Sequence, residues 1–197
     1  MSETQRQKQK NLTRKHIIEA AIKQYAAIGL TKTRTADIAK AANVSHGTIF
    51  AHFSTQEELL IAVIDEFGSR INMRLHELAS GKSGVHEVLE AHLEGLIEFE
   101  DFYTKLVIES RLLPKIVRNT FIMIQSTISF HLSQAVEREI KAGSILPLPI
   151  YMIFNGWVGL VHYYLINSDL FSPGESVLKR YGQDLLVYYM NLITQKN

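Results

Sequence analysis

The sequence TADIAKAANVSHGTIFAHF, residues 35–53, is the most informative segment of this chain. It predicts two short helices joined by a tight turn. Thr35 can cap the first helix, and Asn43 stands where that helix must stop, because asparagine tolerates a left-handed backbone conformation. In the second helix Ile49 and Phe53 are four residues apart and can face inward together. A helix-turn-helix with a polar second helix is typical of proteins that read the DNA major groove.

The outer side of the second helix is the predicted reading surface. Ser45 can cap this helix, and Gly47 permits close approach of a backbone or a phosphate. We expect four residues to face the groove: His46, Gly47, Thr48 and His52. Four further residues are expected to hold phosphates: Lys32, Arg34, Thr35 and Ser45. Phe50 is also assigned to the DNA-binding surface.

This pattern resembles the amino-terminal domain of the tetracycline-repressor (TetR) family of bacterial transcriptional regulators. The resemblance covers about residues 12–64 and rests on matches at fixed spacing: Gly29, Thr35, Ile38, Ala39, Ala42, Val44, Ser45, Gly47, Ile49, His52, Phe53, Glu57, Glu58, Leu59 and Leu60. The resemblance implies a homodimer that binds a palindromic operator in double-stranded DNA. It also implies a carboxy-terminal helical domain that receives a small-molecule effector.

Three residues depart from the family pattern. Asn43 replaces a preferred glycine, and Phe50 replaces a tyrosine whose hydroxyl often contacts a phosphate. Gln56 replaces a usual lysine, so one phosphate-facing charge is missing. Since each neutralised phosphate adds to affinity through counterion release, these changes weaken the expected backbone contacts without changing the class.

Charge is distributed unevenly along the 197 residues. Residues 1–55 carry a net charge of +6 and residues 56–197 a net charge of −5. We therefore predict a DNA-binding domain at 1–55 and an effector-binding and dimerisation domain at 56–197. Three cations of the first domain, Arg6, Lys8 and Lys10, are expected in a disordered arm, whose contact with DNA stays open.

The chain contains no cysteine and its first residues do not resemble a signal peptide, which favours a cytoplasmic location. Residues 143–168 contain no Asp, Glu, Lys or Arg, but Pro147, Pro149, Asn155 and His162 interrupt the apolar run. A buried helix at a dimer interface explains this segment better than a membrane span does.

The remaining pattern predicts an all-α fold of about nine helices, three of them in the DNA-binding domain. A capping box at residues 54–58 opens a long helix that ends near Leu78, and residues 80–84 form a break. Pro114 and Gly143 bound another long helix. The last helix is expected to begin with Ser172 as its cap and Pro173 in its first turn.

Aromatic residues are concentrated in the carboxy-terminal domain. They form either an ordinary core or the lining of an apolar cavity for an effector, and the predicted lining is Phe99, Phe102, Tyr103, Phe121, Phe130, Phe154, Trp157 and His162. His92 and Glu100 fall on an apolar helix face, where we expect satisfied core or rim groups. The acidic row at residues 87–101 is interpreted as a solvated face.

A symmetric dimer is predicted through the last two helices, with Tyr151, Gly156, Gly159, Tyr181, Leu185, Tyr188 and Leu192 at the interface. No catalytic, cofactor or metal pattern is present, so an enzyme is not expected. The favoured interpretation is a ligand-responsive repressor that a largely apolar effector releases from DNA. The alternative is an effector-free DNA-binding module whose second domain only dimerises or binds a partner protein.

Overall fold

The computed structural model describes residues 4–78 and 83–195, and in these ranges the fold is all-α, as predicted. A single antiparallel bridge joins Ile145 and Thr194, and no strand forms within the described residues. The helices there are α1 (Gln5–Ile28), α2 (Thr35–Ala41), α3 (His46–His52), α4 (Gln56–Leu78), α5 (Val85–Glu98), α6 (Glu100–Glu109), α7 (Lys115–Lys141), α8 (Ile150–Ile166), α9 (Ser168–Phe171) and α10 (Val177–Ile193). One 3₁₀ turn, Ser110–Leu112, follows α6.

Contacts group the chain into two compact units. The first holds the chain up to Phe67 together with Asp101–Phe121, and the second holds Gly68–Glu100 together with the chain from Ile122 onward. Helices α4 and α7 each contribute residues to both units. The functional division predicted between residues 55 and 56 stays a prediction.

The first unit positions the helix-turn-helix against α1. Three fully buried residues recur at four-residue spacing along α1: Ile17, Ala21 and Tyr25. Ile38 of α2 and Ile49 of α3 are also buried, with exposed fractions of at most 1%. A hydrogen-bonding distance of 2.9 Å between His16 Nε2 and the Ala42 carbonyl also joins α1 to the end of α2. The two short helices are therefore held by a longer one, because neither could bury enough surface alone.

An aromatic cluster fills the other part of the first unit. The ring of Phe67, on α4, lies 5.5 Å from that of Phe102 and 5.4 Å from that of Tyr103. Tyr103 in turn contacts Phe121, with ring centroids 6.0 Å apart. Because 101–121 supplies most of these rings, this segment packs as part of the same unit as the helix-turn-helix.

The second unit is built on α5, α8 and α10. Helix α10 contacts both other helices. Where α10 crosses α5, a Cβ added to Gly182 would lie 2.8 Å from Leu93 Cδ2. Glycine at this position therefore allows the two helices to pack more closely than a larger residue would. The expectation for Glu100 is confirmed: it is 8% exposed and accepts hydrogen bonds from the amides of Val177 and Leu178 at 2.8 and 3.2 Å.

Two predicted caps are wrong. Thr35 does not cap α2 but is its first helical residue, and Arg34 occupies the cap position. The Asp37 carboxylate fixes this start, because it accepts a hydrogen bond from the Arg34 amide. Helix α10 begins at Val177 with Ser176 as its cap, and not near Ser172. The carboxylate of Glu100 satisfies the first amides of α10 and so decides where the helix begins.

The expectation of a disordered amino-terminal arm is also wrong. Helix α1 already begins at Gln5, where the Thr4 hydroxyl accepts a hydrogen bond from the Gln7 amide at 3.3 Å. The expected end of α7 is confirmed, and Gly143 adopts φ 76° after it, whereas α4 is described as far as Leu78. Of the break predicted at residues 80–84, positions 80–82 lie outside the described residues.

Candidate DNA-binding surface

The turn between α2 and α3 has the predicted geometry. Asn43 adopts φ 50°, and the Val44 amide donates to the Ala39 carbonyl at 3.0 Å, which closes the end of α2. Ser45 caps α3 by accepting a hydrogen bond from the Thr48 amide at 3.1 Å. These local interactions fix the angle at which α3 leaves the turn.

Helix α3 presents a polar and exposed outer side. Ile49 and Phe53 point into the unit and are almost fully buried. The residues predicted to face the groove are all accessible to some extent: His46 and Gly47 are exposed, and Thr48 and His52 are half-buried. Phe50 is exposed as well, at 45%. The structure thus brings this part of the predicted set together on one helix.

Several groups on this surface are already ordered by one another. Thr35 Oγ1 lies 2.9 Å from His46 Nε2, which connects the start of α2 to the start of α3. The rings of His46 and Phe50 meet edge to face, with centroids 5.0 Å apart. The hydroxyls of Ser45 and Thr48 are 2.8 Å apart. A surface arranged in advance loses less conformational entropy when it binds.

The loop before α2 carries Lys32 and Arg34, both exposed. Glu109 holds this loop from the end of α6, since its Oε2 accepts hydrogen bonds from the Thr31 amide at 2.7 Å and the Thr31 hydroxyl at 2.6 Å. Gly29 has φ 105°, and a Cβ there would collide with the Glu109 carboxylate. Glycine is therefore required at this position for both backbone and space.

Gln56, which replaces a usual lysine, has a structural role in this unit. Its side-chain amide donates a hydrogen bond to the Thr33 carbonyl at 3.0 Å. Thr33 is itself buried, and its hydroxyl donates to the Gly29 carbonyl at 2.6 Å. The start of α4 is thus tied to the loop that precedes α2.

Cations of α1 lie near the far end of α3, a feature that the sequence analysis missed. The guanidinium of Arg14 lies 4.6 Å from the Phe53 ring centroid. Desolvation lowers the pKa of His52, and the charges of Lys10 and Arg14 lower it further. Within the described residues its enclosed Nδ1 has no hydrogen-bond partner. The sequence does contain a signal for these cations, namely the four-residue spacing of Arg6, Lys10 and Arg14, which places them on one side of a helix.

The predicted effector residues divide between the two units. Phe102, Tyr103 and Phe121 belong to the aromatic cluster of the first unit, whereas Phe99, Phe154, Trp157 and His162 belong to the second. Phe130, on α7, is 60% exposed. The lining therefore stays a prediction, supported within each unit by buried aromatic side chains.

Trp157 and His92 form a buried polar pair in the second unit. The indole Nε1 donates a hydrogen bond to His92 Nδ1 at 3.1 Å, so the proton of the neutral His92 ring resides on Nε2. Burial lowers the pKa of His92 to about 4, and the neighbouring His162 adds to this effect. Burial also lowers the pKa of His162 to about 4. Both rings are neutral at pH 7.

Helices α8 and α10 each carry an exposed face. On α8 it is formed by Tyr151, Met152, Asn155, Gly156, Gly159, Tyr163 and Ile166, and on α10 by Asp184, Val187, Tyr188, Asn191 and Leu192. Two residues assigned to the dimer interface make contacts inside the unit. Leu185 is 4% exposed, and half-buried Tyr181 donates a hydrogen bond to the Phe171 carbonyl.

The described part of the chain offers little support for a metal site or a membrane-spanning helix. No cluster of three metal-binding side chains occurs there. His86 and Glu90 are 3.9 Å apart on the surface of α5, and the Glu90 carboxylate also accepts a hydrogen bond from Gln183. Among the described residues, every helix is too short or too polar to span a bilayer.

The fold and this surface define a helix-turn-helix protein. Residues 17–63, from the buried part of α1 into α4, match the family described as bacterial regulatory proteins, tetR family. This amino-terminal part of the chain therefore carries the DNA-binding domain of the TetR family.

Individual relatives extend the match to varying degrees. The probable acrEF/envCD operon repressor of Escherichia coli K12 is 31% identical over 109 residues, 54% of this chain and 43% of that protein. The chain thus spans less than half the length of that relative. The regulator AcrR of Shigella flexneri is 24% identical over 94% of this chain and 93% of its own length. The structure of FadR from Bacillus subtilis, in complex with stearoyl-CoA, has 20% identity, a TM-score of 0.72, and 89% and 96% coverage of the two chains.

Proposed function

We propose that this protein is a transcriptional repressor that binds a palindromic operator as a homodimer and is released by a small, largely apolar effector. The observation that carries the proposal is the outer side of α3, where His46, Gly47, Thr48 and His52 form an accessible polar surface over a buried apolar face. Neutral histidine and threonine side chains form few bidentate base contacts, so DNA shape contributes a large share of specificity.

The test places a charge on this surface without disturbing the fold. A Cβ at Gly47 would meet only Ser45 Oγ, at 3.8 Å, so Gly47→Glu fits the free protein but sets a carboxylate against DNA. We expect Gly47→Glu to lose binding to a duplex that the wild type selects from a random pool, and Gly47→Ala to retain most of it. Equal affinity of wild type and Gly47→Glu would show that α3 is not the reader.

Two observations support an apolar effector: the aromatic side chains concentrated in the carboxy-terminal domain, and one protein of similar structure. FadR was solved with stearoyl-CoA, and its fold covers most of this chain. Trp157, the only tryptophan, is fully buried beside His92, so its emission reports a change in that environment. We expect stearoyl-CoA or stearate, but not free coenzyme A, to change Trp157 emission and to weaken DNA binding in parallel. If a wide panel of apolar compounds changes neither quantity, the effector-free alternative takes its place.

The exposed faces of α8 and α10 support the homodimer. They combine aromatic and aliphatic side chains with two small residues, Gly156 and Gly159, and a Cβ at Gly159 would meet nothing within 4 Å. Two such faces related by a two-fold axis would bury these side chains in a four-helix interface. The same symmetry would present two α3 helices to successive major grooves, about 34–36 Å apart.

A further inference from the structure

Helix α1 extends far beyond the core that it helps to build. It begins at Gln5, but its first buried residue is Ile17, which leaves about 18 Å of helix outside the core at 1.5 Å per residue. We refer to residues 5–16 as the α1 extension. The Thr4 cap and a hydrogen bond of 3.2 Å from Gln7 Nε2 to Asn11 Oδ1 stabilise its first turns.

The α1 extension is strongly basic and has no apolar face. It contains five cations and no acidic residue, namely Arg6, Lys8, Lys10, Arg14 and Lys15. Leu12 is its only large aliphatic side chain, so it lacks the apolar stripe of a helix that lies on a membrane. Its chemistry fits a polyanion whose charges are spaced along a line.

The extension meets the reading surface at one end of α3. Arg14 lies against the ring of Phe53, the residue that ends α3, and Lys10 and Arg14 act on His52. At the other end, the contact between Thr35 and His46 joins α3 to the start of α2, next to Lys32 and Arg34. Cations therefore flank both ends of a helix about 10 Å long. The major groove is about 12 Å wide and has a phosphate strand on each side.

We propose that the α1 extension binds the sugar–phosphate strand on the His52 side of the major groove. This inference rests on the proposed DNA-binding function and adds a second contact to it. An α-helix with its side chains is about 10–12 Å across, whereas the minor groove is about 6 Å wide. The extension therefore lies along the phosphates and does not read bases, unlike a flexible arm that enters the minor groove.

The test removes two charges that no described side-chain contact requires for folding, in the double variant Arg6→Gln/Lys10→Gln. The matched control removes two exposed lysines of the second unit, in Lys141→Gln/Lys179→Gln. The probes are the duplex selected by the wild type and a scrambled duplex of the same composition. All measurements are made at pH 8, where His52 is neutral in every protein.

We expect the α1 double variant to bind both duplexes more weakly, by roughly tenfold or more at 0.1 M salt, with an unchanged ratio between them. The slope of log K against log salt falls by about 2 in the same variant and stays constant in the control. Unchanged affinity and slope would overturn the inference. A changed ratio would overturn it as well, because the extension would then read sequence.

The two proposals fail in different ways. If Gly47→Glu loses selective binding while the α1 double variant behaves as the wild type, the reading function stands and the extension is not a contact. If the wild type selects no duplex from the pool, the proposed function itself fails. Circular dichroism of each variant separates loss of a contact from loss of the helix.

Discussion

At the scale of single residues, Glu100 determines where a helix far away in the sequence, α10, begins. It is nearly buried, yet its carboxylate is satisfied by the first amides of α10, 77 and 78 residues further along the chain, and by the Ser176 hydroxyl. A cationic effector would have to compete with these hydrogen bonds. Glu100 is therefore a structural cap, and the charge needed to bind a cationic ligand is not available from it.

Replacing this cap should cost stability. Glu100→Gln removes the negative charge and one acceptor atom, so we expect the free energy of unfolding to fall by about 2 kcal/mol, in the range for hydrogen bonds to charged groups. Urea denaturation at pH 7.5 measures this change. The control is Glu98→Gln, whose exposed carboxylate lies 3.5 Å from Arg74 and should contribute less than about 0.5 kcal/mol. Similar losses in both variants would contradict the assigned cap.

His92 should make stability depend on pH. Its pKa is about 4 in the folded protein against an ordinary value of 6.5, so between these values the unfolded chain binds more protons. Stability is therefore complete above pH 6.5 and is lost as the pH falls toward 4. From pH 7.5 to pH 5 we expect His92 to account for a loss of about 2 kcal/mol.

The variant His92→Gln isolates this contribution, since glutamine can accept the Trp157 hydrogen bond but does not titrate near pH 6. Urea denaturation at the two pH values should show a difference about 2 kcal/mol smaller in His92→Gln than in the wild type. Half-buried His86, on the surface of α5, serves as the control, and His86→Gln should keep the wild-type difference. The same pH dependence in all three proteins would contradict the assigned role of His92.

At the scale of elements, the end of α6 holds the loop between α1 and α2. Two hydrogen bonds from Thr31 to the Glu109 carboxylate connect residues 101–121 to this loop, and Lys32 and Arg34 follow Thr31 directly. Residues that the sequence assigns to the effector domain thus hold phosphate-binding candidates in place. Within the first unit this is a direct physical connection between α6 and the DNA-binding surface.

Glu109→Ala should loosen that loop without unfolding the unit. We expect faster amide hydrogen exchange at residues 29–34 and a loss of about 1–3 kcal/mol, because Thr31 loses a charged acceptor. Affinity for DNA should fall by a similar factor for selected and scrambled duplexes, since Lys32 and Arg34 are assigned to phosphates. Asp101→Ala, at an exposed position of α6, is the control. Unchanged exchange in the loop would show that α6 does not hold it.

At the scale of the whole molecule, the exposed faces of α8 and α10 determine which substitutions test the dimer. Leu185 is unsuitable, because a charge there would unfold the second unit before it reached an interface. Tyr188 and Leu192 are 56% and 52% exposed, so a carboxylate at these positions leaves the monomer intact. The substitutions should therefore act on association and not on folding.

We expect Tyr188→Glu/Leu192→Glu to sediment as a monomer at micromolar concentration, whereas the wild type sediments as a dimer. Burying two carboxylates per subunit in an apolar interface costs more than such an interface can supply. Operator affinity should fall in the same variant, because one α3 covers only half of a two-fold site. Met123→Glu, on an exposed part of α7, is the control. A dimeric double variant would place the interface elsewhere.

The features that could be predicted correctly from the sequence are local ones. Asn43, Ser45 and Gly143 act on backbone groups within four residues, and apolar spacing sets which side of α1, α2 and α3 is buried. Interactions over such short sequence distances can be predicted, because both partners lie close together in the chain. The all-α class, the helix-turn-helix and the end of α7 followed from them.

Contacts between residues far apart in the chain became known only from the packing of the helices. Glu100 displaced the expected start of α10, Glu109 joined the Thr31 loop 78 residues away, and His92 paired with Trp157 across 65 residues. The sequence shows that such groups are polar and stand among apolar neighbours, but their partners depend on how helices pack. A buried polar group must find a partner somewhere, and packing geometry selects which one.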